Sequence, residues 1–389
     1  MADHPPYALF RDDPAGRSLV FDRPREIVTA HKAEDVLPAL ERLEEARRAG
    51  QWLAGYISYE AGYVFEEKLK PLIVPERPTP LIAMGIFDAP AGEDHPLAAP
   101  LAARNEEPFT EPRAAWDFET YRERFDHLHR HLRNGDCYQG NLTMPVTARW
   151  QGDPRSVFWS LVARQPVRYG ALVDFTRDAG GPVVLSRSPE LFFSVDAGRF
   201  IETHPMKGTA PRGKTPEEDK AIVEAMLADE KTLAENRMIV DLLRNDISLV
   251  SEVGTLDVPK LFEIETYPTV HQMVSHVRAK LRPEIGLPEI LAALFPCGSV
   301  TGAPKMWAMQ ILRRLEADCR DVYCGAIGWC DPAGPMRFSV AIRTISLFND
   351  GKAVFNVGGG IVFDSKAEAE YEECLLKARF AVGDQWISR

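Results

Sequence analysis

The chain has 389 residues and a net charge of −11, with 45% hydrophobic and 26% charged residues. That balance fits one large globular body or two to three ordinary domains, and excludes collagen, coiled coil and wholesale disorder. An acidic total argues against a nucleic-acid partner, which needs a basic footprint, but leaves room for a small anionic substrate, because local cations override global charge.

Residues 1–10 lack a basic segment followed by an apolar run, so no signal peptide is expected. The longest uncharged run, 290–304, is broken by Gly and Pro and is too short to span a bilayer, so no membrane partner is expected. Six cysteines without a C-x-x-C pair suit reduced thiols in a cytoplasmic enzyme rather than a zinc ribbon.

In chain order, residues 35–49 are expected to form a helix with Asp35 as N-cap and Pro38 in the first turn, followed by a strand over 52–59. Residues 86–116 carry Pro90, Pro96, Pro100, Pro108 and Pro112 and read as a connection. It divides an N-terminal α/β portion, 1–85, from a longer region, 117–389. Phe118, Tyr121, Phe125, Leu128 and Leu132 then recur at helical spacing, with Gly135 as the stop. Strands over 182–186 and 199–206 precede helices over 216–228 and 230–246. A strand over 337–345, a glycine-interrupted strand over 353–363 and a helix over 365–382 complete a mixed α/β or α+β pattern.

Several placements carry chemistry. Glu235 falls among Met238, Ile239 and Leu242 on one helix face, which is costly for a carboxylate unless a cation meets it. Glu370, Glu373 and Lys377 share a face of the last helix, and carboxylates from two helices would suit Mg²⁺. Taken singly, each has an ordinary reading as an edge glutamate or a solvated i,i+4 pair. Lys207 ends a strand-like segment before Gly208, and a lysine there becomes a nucleophile if its pKa falls from about 10.4. Arg343, at the close of the 337–345 strand, could fork onto a substrate carboxylate. Gly358–Gly359–Gly360 marks a bulge or a close approach to backbone. Residues 298–305 could open a helix and offer N–H groups to an anion, without the P-loop spacing. His127, His129 and His131 tempt a metal reading, but mostly lie off the apolar stripe and lack H-E-x-x-H.

These segments together resemble the chorismate-utilising enzymes. The matching strings are 135–143 (GDCYQGNLT), 186–192 (SRSPELF), the Lys207 loop, the Glu235 helix, 269–275 (TVHQMVS), 295–305 (FPCGSVTGAPK), 341–344 (AIRT) and the Gly-rich strand with its following Glu-Tyr-Glu-Glu helix. The N-terminal portion matches more loosely, through 55–60 (GYISYE). Lys207 in Pro-Met-Lys-Gly-Thr is similar to the amino-transferring members, whereas anthranilate-forming members usually carry alanine there. Gln139 stands where members that add water carry a lysine base. Gly140 replaces a commoner β-branched residue, and Thr232 an acidic one.

The resemblance implies an α+β fold: a large β-sandwich core flanked by helices in α-β-β-α layers, with the active site between its halves. It implies Mg²⁺ held by Glu235 and Glu373, with Glu370 orienting metal-bound water. Tyr323, Arg343, the Gly358 backbone and Lys377 would meet the enolpyruvyl carboxylate, while Thr301, Gly302 and Ala303 lie along the ring carboxylate. Lys207 would attack C2 of chorismate as Glu190 protonates the departing C4 hydroxyl, ammonia would then displace Lys207, and His271 would sit nearby. The expected product is 4-amino-4-deoxychorismate, for p-aminobenzoate and folate supply. No glutaminase nucleophile motif is visible, so a glutamine amidotransferase subunit is the expected ammonia source, and no fused lyase is expected after Arg389. The alternatives are an anthranilate-forming member and a non-catalytic chorismate-binding subunit.

Overall fold

The computed structural model describes residues 4–92, 94–101, 108–267 and 270–383. Thr269 of the 269–275 string, residues 93 and 102–107 of the Pro-rich connection, and Arg389 lie outside them. Two antiparallel sheets dominate. The first runs Gly302–Ala303, Gln139–Trp150, Lys352–Ile361, Thr344–Leu347, Val183–Ser188, Tyr169–Asp174, Tyr7–Asp12, Arg17–Asp22. The second runs Met206–Pro211, Val270–Lys280, Phe200–Thr203, Leu191–Val195, Met336–Val340, Ala326–Cys330, Trp52–Ile57, Ile82–Phe87, Glu26–Ala30. Two edge strands, Phe109–Ala114 and Asp257–Thr266, add to Gln139–Trp150 and Val270–Lys280 respectively.

Alternation along each strand builds three cores. In Tyr7–Asp12, Tyr7 and Leu9 face a core shared with helices Phe118–Asn134, Pro154–Arg164, Lys305–Leu315 and Ala367–Val382, while Ala8 faces the gap between the sheets. In Trp52–Ile57, Leu53 and Ile57 face helices Ala33–Arg48, Glu230–Ser248 and Leu287–Leu294, while Ala54 and Tyr56 face the gap. That middle layer mixes Ala8, Ala54, Ala83 and Ala171 with Phe21, Phe87 and Phe175, so the sheets interdigitate at about 10 Å. The order is helix, sheet, sheet, helix, as the resemblance implies.

Residues before 86 are woven into both sheets. Tyr7–Asp12 pairs with Tyr169–Asp174, and Trp52–Ile57 pairs with Ala326–Cys330. Fully buried Phe21 meets the rings of Trp52 and Phe87 at 5.8 and 5.2 Å and ties the N-terminal hairpin to the opposite sheet. In the connection, Phe109–Ala114 tolerates Pro112 because it is an edge strand with a register shift between Thr110 and Arg113.

Three local expectations need correction. The first helix begins at Ala33, so Asp35 is its third residue rather than its N-cap; its carboxylate accepts the Lys32 N–H at 3.1 Å. Acidic residues are favoured at both positions, and Pro38 consequently lies inside the helix. The 337–345 strand is two: Met336–Val340 belongs to the second sheet, Thr344–Leu347 to the first, and Arg343 between them has φ 49°. Period-two alternation continues through the crossing and hides it. Gly358, Gly359 and Gly360 make no bulge; they pair in unbroken register with Thr143, Leu142 and Asn141.

Among the described residues no helix is long and apolar enough to cross a membrane. Two histidines of the run make structural contacts: His129 bonds the Phe363 carbonyl at 2.7 Å and stacks on Phe125, and His131 bonds Asp136 at 2.8 Å.

Candidate active site

The glycine strand is the hub of the site. A Cβ on Gly359 would lie 3.0 Å from Glu370 Oε2 and 4.0 Å from both Glu373 Oε1 and Lys377 Nζ. A Cβ on Gly360 would lie 3.1 Å from both Lys207 Nζ and Gln139 Nε2. Neighbouring strand residues face opposite ways, so the final helix closes on one face of this strand and Lys207 on the other. Glycine leaves room for the polar side-chain ends that press against this strand from both sides.

Lys207 does not end a strand: the preceding one stops at Thr203, and Lys207 is the second residue of Met206–Pro211. Gly208 follows at φ +100°, where an added Cβ would stand 2.6 Å from Thr232 Cγ2, so the Thr232 methyl caps this turn. Burial pushes the Lys207 amine below the usual lysine range; Glu235 opposes that, nearby Lys377 reinforces it, and Glu190 and Glu373 oppose it more weakly. Among the described residues its Nζ has no hydrogen-bond or ion-pair partner.

Glu190 is 6% exposed. Burial raises its carboxyl to about 7, against the pull of the Ser299 hydroxyl and the Lys207 charge. Ser299 Oγ donates to Glu190 Oε1 at 2.6 Å. Desolvation therefore drives a base down and an acid up in one place, favouring a neutral amine beside a protonated carboxyl. That combination is a nucleophile with a proton donor.

The residues expected to meet substrate carboxylates come from several elements. Arg343 is half-buried, and desolvation lowers its guanidinium pKa. Among the described residues its guanidinium has no hydrogen-bond or ion-pair partner. Lys377 Nζ donates to the Gly358 carbonyl at 2.8 Å and pairs with Glu373 at 2.7 Å. The Tyr323 phenol is 8% exposed and held protonated by burial. Thr301 is fully buried, its hydroxyl donating to the Cys297 carbonyl at 2.9 Å. Gly302 and Ala303 pair with Gly140 and Gln139, so this segment is a strand edge; the helix starts only at Lys305. Gly140 itself makes room for Leu128, whose Cδ1 would stand 2.9 Å from an added Cβ.

Two expected residues sit differently. The buried stripe of Glu230–Ser248 runs through Asn236, Ile239, Val240, Leu243, Asp246 and Ile247. Glu235 borders it, 26% exposed and 3.9 Å from Lys231 Nζ, while its neighbour Asn236 lies inside, accepting from Ser275 Oγ at 2.7 Å. His271 is 1% exposed and is not joined to Lys207 or Glu190 by a hydrogen bond. Its Nδ1 meets Thr266 Oγ1 at 2.9 Å and its Nε2 meets Asp219 Oδ1 at 2.8 Å.

Sequence reasoning overlooked Ser299 as a partner of Glu190, and also Arg320. Arg320 bonds the Val300 and Asn141 carbonyls at 2.9 and 2.6 Å, pinning the Thr301 segment to the Gln139–Trp150 strand. Only the Arg-Asp spacing before Tyr323 could have hinted at it. Gln139 is fully buried, with neither amide atom hydrogen-bonded.

The residues fit a hard divalent cation. Glu370 and Glu373 crowd one point above Gly359, and burial followed by the Glu373 charge raises the Glu370 carboxyl. Among the described residues no three His, Cys, Asp or Glu side chains are grouped to hold a metal unaided. Two carboxylates completed by water and substrate oxygens match Mg²⁺ rather than a closed transition-metal site.

Residues 5–383 match the family model described as chorismate binding enzyme. An aminodeoxychorismate synthase component 1 of Escherichia coli (strain K12) is 36% identical over 346 residues, covering 83% of this chain and 74% of that one. One of Klebsiella aerogenes is 42% identical over 265 residues, covering 68% and 57%. The matched stretch spans from 27% to 74% of the length of relatives named aminodeoxychorismate synthase. The crystal structure of anthranilate synthase component I from Streptococcus pneumoniae TIGR4 superposes with a TM-score of 0.75 at 27% identity, covering 97% of this chain and 90% of that one.

Proposed function

The chain belongs to the chorismate-binding enzymes, and from that premise we propose that it is an aminodeoxychorismate synthase component I, converting chorismate and ammonia to 4-amino-4-deoxychorismate and water. The observation that carries this is the unpartnered, desolvated Lys207 amine beside the Glu190 carboxyl raised to about 7.

Arg343, Tyr323 and Lys377 hold the enolpyruvyl carboxylate, Arg343 contributing a fork with no internal partner. Thr301, Gly302 and Ala303 bound the ring carboxylate. Glu235 and Glu373 would hold Mg²⁺ together with water and substrate oxygens, Glu370 would orient that water, and the ion would neutralise substrate charge when bound. The Lys207 nitrogen forms a bond to C2, the two ring double bonds move from C1–C2 and C5–C6 to C1–C6 and C4–C5, and the C4–O bond breaks as Glu190 supplies the proton that releases water. Ammonia then bonds to C4, both double bonds return, the C2–N bond breaks, and the proton lost by the new C4 ammonium passes back to Glu190. The relay divides one difficult displacement into two easier ones, and the placed acid removes the need to expel hydroxide.

The neutral Gln139 amide cannot act as base toward water, which supports amination over hydration. His271, tied to Asp219 and Thr266, lies opposite Ala210 on the strand paired with Met206–Pro211. The ammonia source in this reading is a separate glutamine amidotransferase subunit, and the setting is cytoplasmic. Incubating the protein with chorismate, Mg²⁺ and ammonium, then weighing the products, tests it. A mass for 4-amino-4-deoxychorismate without pyruvate is expected. Pyruvate with anthranilate, or binding without turnover, overturns it.

A further inference from the structure

We propose that Ser299, backed by Cys297, is the positioning residue that aims the Glu190 carboxyl and stabilises its ionised form after the proton has been given away. This rests on the reading of Glu190 as the acid. Ser299 is 6% exposed and its Oγ lies 2.6 Å from Glu190 Oε1. On its other side the Cys297 Sγ lies 3.2 Å from the same Oγ. A hydroxyl has one proton to donate, so the direction of this chain is decided by the thiol. Burial pushes the Cys297 thiol up to about 12, and the Glu190 charge pushes the same way. The S–H therefore stays a donor toward Ser299, whose own proton is left for Glu190.

The titratable groups facing Glu190 are Lys207, from the Met206–Pro211 strand, and Cys297, from the loop that carries Ser299. Its backbone is fixed separately: the Val340 N–H donates to its carbonyl at 3.1 Å, and its own N–H donates to Ser188 Oγ at 3.2 Å. The side chain thus has Ser299 as its directional anchor. A hydrogen bond that strengthens as the carboxyl ionises lowers the barrier to proton donation while burial keeps the acid loaded.

The test is carbon-13 NMR titration of the glutamate carboxyls in the substrate-free protein, with Glu190 assigned through Glu190→Gln, alongside the pH profile of kcat/KM with ammonium. In Ser299→Ala the Glu190 midpoint should rise by about one pH unit. The alkaline limb of kcat/KM should follow, while the acidic limb stays. Ser299→Thr, which keeps the hydroxyl, should restore both readouts. Cys297→Ala should shift the midpoint upward by less. An unmoved midpoint in Ser299→Ala, or a Thr variant displaced as far as the Ala variant, overturns the proposal. If Ser299→Ala does not fold, an unmoved midpoint in Cys297→Ala overturns it, and a rise there upholds it. A shifted midpoint in a protein that forms no 4-amino-4-deoxychorismate would leave the Ser299 assignment standing and remove the proposed reaction.

Discussion

Arg320 and Arg343 stand on either side of Tyr323, both in connections between elements, yet their surroundings are opposite. Arg320 is 3% exposed and donates to both Glu316 carboxylate oxygens at 2.8 and 2.7 Å, and to two backbone carbonyls. Burial works against its charge, Glu316 outweighs that, and the guanidinium is held well above its usual range. Arg343 has no such partner among the described residues, and desolvation moves it the other way. The same contrast separates Lys305, bonded to Asp246 at 2.7 Å and to the Leu294 carbonyl at 2.9 Å, from Lys207. A buried cation whose donors are all met is finished as structure. One without partners costs stability in the free protein and gains its acceptor from a ligand.

The sharpest break would come from Lys207→Ala. Its rate should fall by about a thousandfold or more, and a covalent adduct detectable by intact-mass analysis should vanish, with thermal stability unchanged or higher. Full activity would remove the covalent step. Arg320→Met should behave in the reverse sense, leaving the buried Glu316 carboxylate with the Thr143 N–H and hydroxyl but without its cation. A loss of about 3–5 kcal/mol in urea unfolding is expected, and an unchanged midpoint would dissolve the contrast. Arg343→Met should raise KM for chorismate by about 100-fold with no loss of folding stability.

The pH behaviour is subtler. Glu190 must be protonated to act, so kcat/KM should fall about tenfold per unit as pH rises beyond about 7. Its folded pKa lies above the ordinary 4.5, so its contribution to stability is full below about 4.5 and is lost as pH rises to about 7. Glu190→Gln should flatten that part of the stability profile in urea titrations. Gly360→Ala should have the smallest effect, a several-fold loss of rate, because the added Cβ meets the movable ends of Lys207 and Gln139 at 3.1 Å rather than backbone. An unaffected rate would show that the glycine strand does not set the position of the lysine.

The sequence by itself determined the elements whose signals are local. The helix Phe118–Asn134 follows from its apolar spacing and from Gly135, which ends it at φ 79°. The final helix follows from its apolar positions, and the family from strings of ordered motifs. Local rules failed where one residue type serves two positions, as Asp35 does at the start of its helix, or where a pattern runs unbroken through a change of sheet, as it does at Arg343. Tertiary structure alone decided which cations are satisfied and which are not, that Asn236 rather than Glu235 lies inside its helix interface, and that a serine 109 residues away points at Glu190. Burial and partnership are properties of what the fold brings together, and one-dimensional periodicity records only the direction in which each side chain leaves its own backbone.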